Sequence, residues 1–335
     1  METIAFFNHK GGVGKTTLVF NIGLALAAGG YNVVFVDLDA QANLTSAALS
    51  LDDAESLFLA EETVYGSLKP LVDGSGDLDA VTLMQIRESA WLVPGDLRIS
   101  EFEEICPQGW TEALAGNLRG FRVSTALSRL VQRAGAEVNA DFAFLDLGPN
   151  VGALNRTALL ASEGFVVPLA PDLFSLTALP SVGKSTSLWM SDWLVARGSA
   201  NRRSLNLGFD LPIGRPSPLG YVSQQFAVYR EAPAAAYKRW IEQIPKAYET
   251  GIVEPLRAAG VAIPPGPSRL GEVRNLSSLV PIAQRANRAV FELGGSEARG
   301  AQFTRARDTY RLFQEIAEEM VKRVEWVAEN NGDNS

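Results

Sequence analysis

The chain opens with an apolar run, a glycine-rich loop and a helix-forming stretch, TIAFFNHKGGVGKTT at residues 3–17. Its last part, Gly14-Lys15-Thr16, closes a phosphate-binding loop of the form G-x-x-x-x-G-K-[ST]. Such a loop works only between a buried strand and a helix N-terminus, where consecutive backbone N–H groups make a concave anion site. It therefore demands a βαβ unit, and with it a parallel sheet covered on both faces. Two residues depart from the ordinary pattern. His9 stands where the first glycine belongs, and a second lysine, Lys10, precedes Gly11 and Gly12. The plain alternative is a glycine turn with a solvated lysine; the position between a strand and a helix weighs against it.

Further runs support the unit. Residues 3–8, 32–39, 142–147, 165–170 and 219–222 are nearly continuous in apolar residues, as strands buried on both faces should be. Residues 16–28 carry Val19, Ile22 and Leu26 on one helical stripe, with Gly29-Gly30 as a stop. The expected fold is α/β, a doubly wound and mostly parallel sheet flanked by helices. Residues 50–90 are expected to form helices and loops over the sheet, and 196–220 a Pro/Gly-rich loop. A helical excursion is expected over 227–259. No boundary isolates a second domain, so residues 1–328 read as one unit and 329–335 as a disordered tail.

Composition narrows the class. Of 335 residues, 47% are hydrophobic and 20% charged, which suits a globular protein with a sizeable core. The single cysteine, Cys106, excludes an internal disulfide framework, and the single histidine excludes a histidine-rich metal site. With no leader-like segment and no run of 18 apolar residues, the expectation is a cytoplasmic protein. A net charge of −8 argues against a surface that is basic throughout but leaves a local basic patch open.

Within the loop, Lys15 would reach the β- and γ-phosphates and the Thr16 hydroxyl would ligate Mg²⁺. VVFVDLDAQANLT puts Asp37 and Asp39 at the carboxyl end of a strand, the edge that faces the ligand crevice in an open α/β sheet. One of them could order an attacking water or support the metal; capping of the next helix is the alternative, more plausible for Asp37. DFAFLDLGPN ends an apolar strand in Asp146, the form of a Walker B carboxylate. In this order the three motifs imply nucleoside-triphosphate binding and phosphoryl transfer to water.

KGGVGKTT, DLDAQAN and LDLGPN, followed by LNRTALLAS and VVPLAP, resemble the ParA/MinD family of deviant Walker ATPases. WLVPGDLRISEFE and VRNLSSLVPIAQRANRAVFEL are similar to segments of the ParA branch, so the likeness runs from residue 3 to about 320. The resemblance implies that Lys10 is the signature lysine, which crosses to the phosphates of a partner subunit in an ATP-sandwich homodimer. It also implies that Gly11, Gly12, Val13, Gly14, Lys15, Thr16 and Thr17 bind nucleotide, that Asp39 positions the hydrolytic water, and that Thr16 and Asp146, with Asp39, serve Mg²⁺. Gln224, Arg274 and Asn275 fall where relatives contact adenine. Ala40 and Ala42 replace a proline and a glycine of the family's D-P-Q-G-N, and Gly148 replaces a proline of D-x-P-P. Residues 190–265 match no family pattern and are the candidate partner surface.

What is moved stays open at this level. Between 269 and 311 eight arginines face four acids. That excess makes a phosphate-contacting face plausible, with Arg285, Arg288, Arg299, Arg305 and Arg307 as candidates; arginines paired on a solvated helix face are the bland alternative. The resemblance to ParA implies non-specific DNA binding, nucleoid association when ATP-bound, and a ParB-like or adaptor activator. A MinD-like membrane switch would need a basic amphipathic C-terminal helix. The stripe Phe313, Ile316, Met320, Val324 and Val327 instead carries an acidic polar face, which suits core packing. A P-loop ligase or synthase would need a polar substrate pocket that the sequence does not locate.

Overall fold

A computed structural model describes residues 1–225, 234–274, 276 and 278–331. Eight strands form one sheet: β1 (Glu2–Phe6), β2 (Val33–Leu38), β3 (Met84–Arg87), β4 (Ala90–Val93), β5 (Phe142–Leu147), β6 (Gly164–Leu169), β7 (Ser217–Gln225) and β8 (Arg269–Arg274). Their order is β3-β4-β2-β5-β1-β6-β7-β8. All neighbours are parallel except the hairpin pair β3 and β4.

The central strands are apolar throughout because each face of the sheet carries its own core. Alternate residues point to opposite faces. Ile4, Phe6, Val33, Phe35, Phe142 and Phe144 join one core layer, while Ala5, Val34, Val36, Ala143 and Leu145 join the other. The first layer is covered by the helices Lys15–Ala28 and Ala301–Asn331. The stripe Phe313, Ile316, Met320, Val324 and Val327 is fully buried there, so it packs in the core as its acidic flank suggests. The helices Ile99–Leu114, Ala126–Glu137, Ala153–Leu160 and Leu173–Arg202 cover the other layer.

The five expected strands and the first helix are present with small boundary shifts. Three differences matter. Residues 50–90 include the edge strand β3, and the WLV of the following segment forms β4. The helix Leu173–Arg202 runs seven residues into the stretch read as a loop, so irregular chain is confined to 203–216. The last helix runs to Asn331, past the point read as the start of a tail; residues 332–335 lie outside the described residues. No helix among the described residues is long and apolar enough to cross a membrane.

Candidate active site

Strands β2, β5, β1, β6 and β7 are consecutive and parallel, so the loops after them share one edge of the sheet. That edge collects the residues of interest: Asp39 after β2, Asp146 near the end of β5, the glycine loop after β1, Asp172 after β6 and Gln224 in β7. Register brings them closer still, with Asp37 beside Asp146 and Phe6 beside Asp146.

The loop turns through left-handed backbone at Gly12 (φ 70°) and Gly14 (φ 73°). A Cβ is strained in that region, which is why glycine is needed at both positions. His9 packs its ring edgewise on Phe7, 5.4 Å between centroids, and fills the place of the missing glycine. Burial, then the charge of Lys15, lowers the His9 pKa and so favours the neutral ring.

The two lysines lie in different surroundings. Lys15 is 7% exposed and folds back over its own loop, where Nζ donates to the carbonyls of Asn8 (3.4 Å) and Lys10 (3.5 Å). These are long contacts, easily exchanged for phosphate oxygens. Burial lowers its pKa, and the charges of Asp146 and Asp39 oppose that shift. The Lys10 side chain is 30% exposed and pairs with Asp172 of its own chain. Asp172 also accepts the Ser175 N–H at 2.9 Å and so caps the helix Leu173–Arg202. Asn8 braces the turn, donating to the Pro168 carbonyl and accepting from the Lys10 N–H.

Thr16 Oγ1 donates to Asp146 Oδ2 at 2.7 Å. The other oxygen, Asp146 Oδ1, is buried with no partner among the described residues. A buried carboxylate with an unused oxygen beside a threonine hydroxyl fits Mg²⁺, which takes one or two protein oxygens and fills its shell with water and phosphate. Burial, then the charge of Asp37, pushes the Asp146 pKa up to about 8. Burial raises Asp37 to about 6 against the hydrogen bonds it accepts. A carboxyl raised in the fold contributes stability at low pH and loses it as pH climbs through the folded value. Thermal stability without nucleotide is therefore expected to fall from the ordinary carboxyl value of 3.8 up to about pH 8, most steeply below about pH 6, where both groups contribute. The fall should shrink in Asp146→Asn; melting curves at several pH values check this, and equal slopes in both proteins would refute it.

Asp37 and Asp39, whose roles their spacing left open, have different surroundings. Asp37 Oδ2 accepts from Thr45 N (2.8 Å) and Thr45 Oγ1 (2.7 Å), so it caps the helix Asn43–Ala48. Thr45 Oγ1 in turn accepts the Gly95 N–H at 2.7 Å and ties β2 to the chain after β4. Asp39 points into the crevice, 8% exposed, with Oδ1 accepting, among the described residues, only the Gln41 N–H at 3.0 Å. Ala42 sits at φ 47°, a left-handed conformation that costs an L-residue about 1–2 kcal/mol. Ala42→Gly should raise stability by roughly 1 kcal/mol and loosen the turn. Thermal unfolding measures this; an unchanged or lower melting temperature would count against strain.

A family model described as an AAA domain matches residues 1–189. The chain is 32% identical over 178 residues to the sporulation initiation inhibitor protein Soj of Bacillus subtilis, covering 53% of this chain and 62% of Soj. It is 28% identical over 183 residues to the virulence plasmid ParA family protein pGP5-D of Chlamydia muridarum, covering 54% of this chain and 60% of that one. This chain belongs to the ParA/MinD family of P-loop ATPases. Both alignments span under two thirds of the relatives' own length. A putative plasmid partition protein of Borrelia burgdorferi, solved with AMPPNP, has the same fold: TM-score 0.57 at 18% identity, covering 96% of this chain and 98% of that one.

For a ParA/MinD protein, the remaining expected residues fall as follows. Gly11 lies beside Pro149, and Val13 is buried under the loop. Thr17 lines a narrow cleft with Asn21, Gln284 and Arg288. Gln224 is buried, and its Nε2 donates to the Gly14 carbonyl at 3.1 Å, bracing the loop from β7. Arg274 is exposed at the end of β8 and forms a bidentate pair with Glu272. Asn275 lies outside the described residues. Of the arginine candidates, Arg288 contacts Glu297 at 3.9 Å and the Glu292 carbonyl. Arg285, Arg299, Arg305 and Arg307 are exposed and have no acidic partner among the described residues. The sequence reading missed Asp172 and Asn8. Asp172 could have been found from the rule that located Asp39, since both lie within three residues after a strand of the same sheet edge.

Proposed function

We propose that this protein is an ATP-driven switch of the ParA type, which closes into a homodimer around two Mg-ATP molecules. In that state it binds duplex DNA without sequence preference, and it positions or segregates DNA or another cargo. The observation that carries the reading is the contrast between the lysines of one loop: Lys15 is buried over its own phosphate site, while Lys10 stands about one third exposed at the rim. The exposed side chains of Val151, Leu173 and Phe174 belong to the segments beside Lys10 and support a face that meets a second copy.

The chemistry follows from the side chains. Lys15 and the loop N–H groups hold the β- and γ-phosphates and neutralise their charge. Bound Mg²⁺ would supply charge neutralisation across those oxygens, with Thr16 and Asp146 holding it and Asp39 nearby. Asp39 accepts a hydrogen bond from the attacking water and aims it at the γ-phosphorus. Lys10 of the second copy offsets the charge that develops as the bond to ADP breaks. Gln224, Arg274 and Asn275 are assigned to the adenine side. Hydrolysis is stimulated by a ParB-like or adaptor protein, for which residues 190–265 are the proposed contact.

Arg285, Arg288, Arg299, Arg305 and Arg307 are assigned to DNA. Each phosphate contact adds roughly 0.9 to the slope of log affinity against log salt. The double change Arg305→Ala, Arg307→Ala should weaken ATP-dependent binding to arbitrary duplex and flatten that slope by about 2. Binding at several salt concentrations, with liposomes as the parallel arm, tests this. Unaltered affinity and slope would remove these arginines from the interface, and binding to liposomes instead of duplex would overturn the DNA reading.

A further inference from the structure

We infer that Asn155 is a positioning residue for hydrolysis: its carboxamide fixes the 148–152 loop that walls the crevice between Asp39 and the phosphate loop. The inference rests on the ATPase reading above and adds to it a residue that does not touch nucleotide.

Asn155 lies in the first turn of the helix Ala153–Leu160 and is 1% exposed. Its Nδ2 is 2.9 Å from the Gly148 carbonyl, 2.8 Å from the Asn150 carbonyl and 2.9 Å from Asn150 Oδ1. An amide nitrogen has two hydrogens, so one serves Gly148 and the other is shared by the two acceptors of Asn150. The Oδ1 end is buried without a partner among the described residues. Turning the amide over would set an oxygen against three acceptors, so the orientation is determined by its surroundings. The fold leaves a buried acceptor unpaired in order to keep three contacts to one loop.

That loop touches both halves of the chemistry. Pro149 lies against Gly11, with its Cγ 3.8 Å from the point a side chain on Gly11 would occupy. Asp39 Oδ1 is 3.6 Å from the point a Cβ on Gly148 would occupy. Gly148 stands where the family pattern has a proline, so the backbone loses a fixed φ at the place where the water-ordering carboxylate approaches. Among the described residues, Asn155 is the one side chain outside the loop that hydrogen-bonds to the backbone of residues 148–150. Its three contacts supply the restraint that the missing proline would have given. Asn150 Oδ1 also accepts the Gly152 N–H at 3.0 Å, which passes the restraint to the start of the helix.

The test uses the full chain with Mg-ATP. In Asn155→Ala, turnover should fall by about 10- to 100-fold, the scale of a small misplacement near reacting groups. Nucleotide affinity should change by less than about threefold, because Lys15 and Thr16 are untouched. Hydrogen exchange should speed up in residues 148–152 and stay unchanged in the helix Lys15–Ala28. Asn155→Asp, equal in size but unable to donate, should behave like the alanine variant. Asn150→Ala, at an exposed position that tolerates truncation, removes one of the three acceptors and should give a smaller loss in the same direction; it carries the test if the Asn155 variants do not fold. Unchanged turnover, unchanged exchange in the loop, or affinity falling in step with turnover would each overturn the inference. A wild-type protein that binds but never hydrolyses ATP would sink the ATPase reading instead, and the exchange measurement would still decide whether Asn155 holds the loop.

Discussion

Lys10→Ala is expected to leave ATP bound and to slow its hydrolysis by about a thousandfold or more, the scale of a lost cationic finger in phosphoryl transfer. Lys15 lies over the loop of its own chain, and the anion site of backbone N–H groups does not involve the Lys10 ammonium. Nucleotide affinity in the variant should therefore stay close to that of the wild type. Lys15→Ala, by contrast, should abolish binding. For Lys10 to reach a second copy it must first leave Asp172. Both side chains of that pair are about one third exposed. Exposed ion pairs are typically worth about 0–1 kcal/mol, so the contact is a weak tether that a triphosphate can outcompete. The variant should also remain monomeric with ATP. Equilibrium binding, sedimentation and phosphate release measured on the same sample separate these outcomes. Full turnover by Lys10→Ala, or by a wild-type protein that stays monomeric at saturating ATP, would remove the cross-subunit role.

The centre of the sheet was legible because its strands are buried on both faces and carry polar residues only near their ends. Strands at the edges lack that signature. β8, Arg269–Arg274, alternates exposed, half-buried and buried residues, and β3 is only four residues long. Neither presents an apolar run to read. The helix Leu173–Arg202 contains Pro180, Gly183 and Gly198, which read locally as breakers. Its buried face, including Leu179, Val182, Trp189 and Trp193, packs against several helices, and tertiary burial overrides the local signals. In the site, Lys15, Thr16, Asp39 and Asp146 could be grouped from sequence because strand order and the crevice rule bring their loops to one edge. For Asp37 the sequence offered a helix cap only as the more plausible of two alternatives. Only the Thr45 contacts show that Asp37 is spent on a cap, and Thr45 lies eight residues away in a helix with no telling motif.

Asp39→Ala should trap ATP in a closed dimer. The carboxylate sits at the carboxyl end of β2 and is bonded within its own turn only through the Gln41 N–H, so it has acceptor capacity left for a water. Removing a group that orders and polarises the nucleophile typically costs about 10²- to 10⁴-fold in rate. The groups assigned to binding are elsewhere: Lys15, Thr16 and Asp146 keep their positions because all of β1 pairs with β5, as far as Asp146. The change also removes a negative charge near the γ-phosphate, which favours ATP over ADP in the site. Binding therefore persists while its exit by hydrolysis closes, and the ATP-bound dimer accumulates. Light scattering after ATP addition should report twice the monomer mass in the variant, lasting long after the wild-type signal has decayed. A variant dimer that falls apart as quickly as the wild type would mean that Asp39 does not order the water, and the duty would pass to another group on the 148–152 loop.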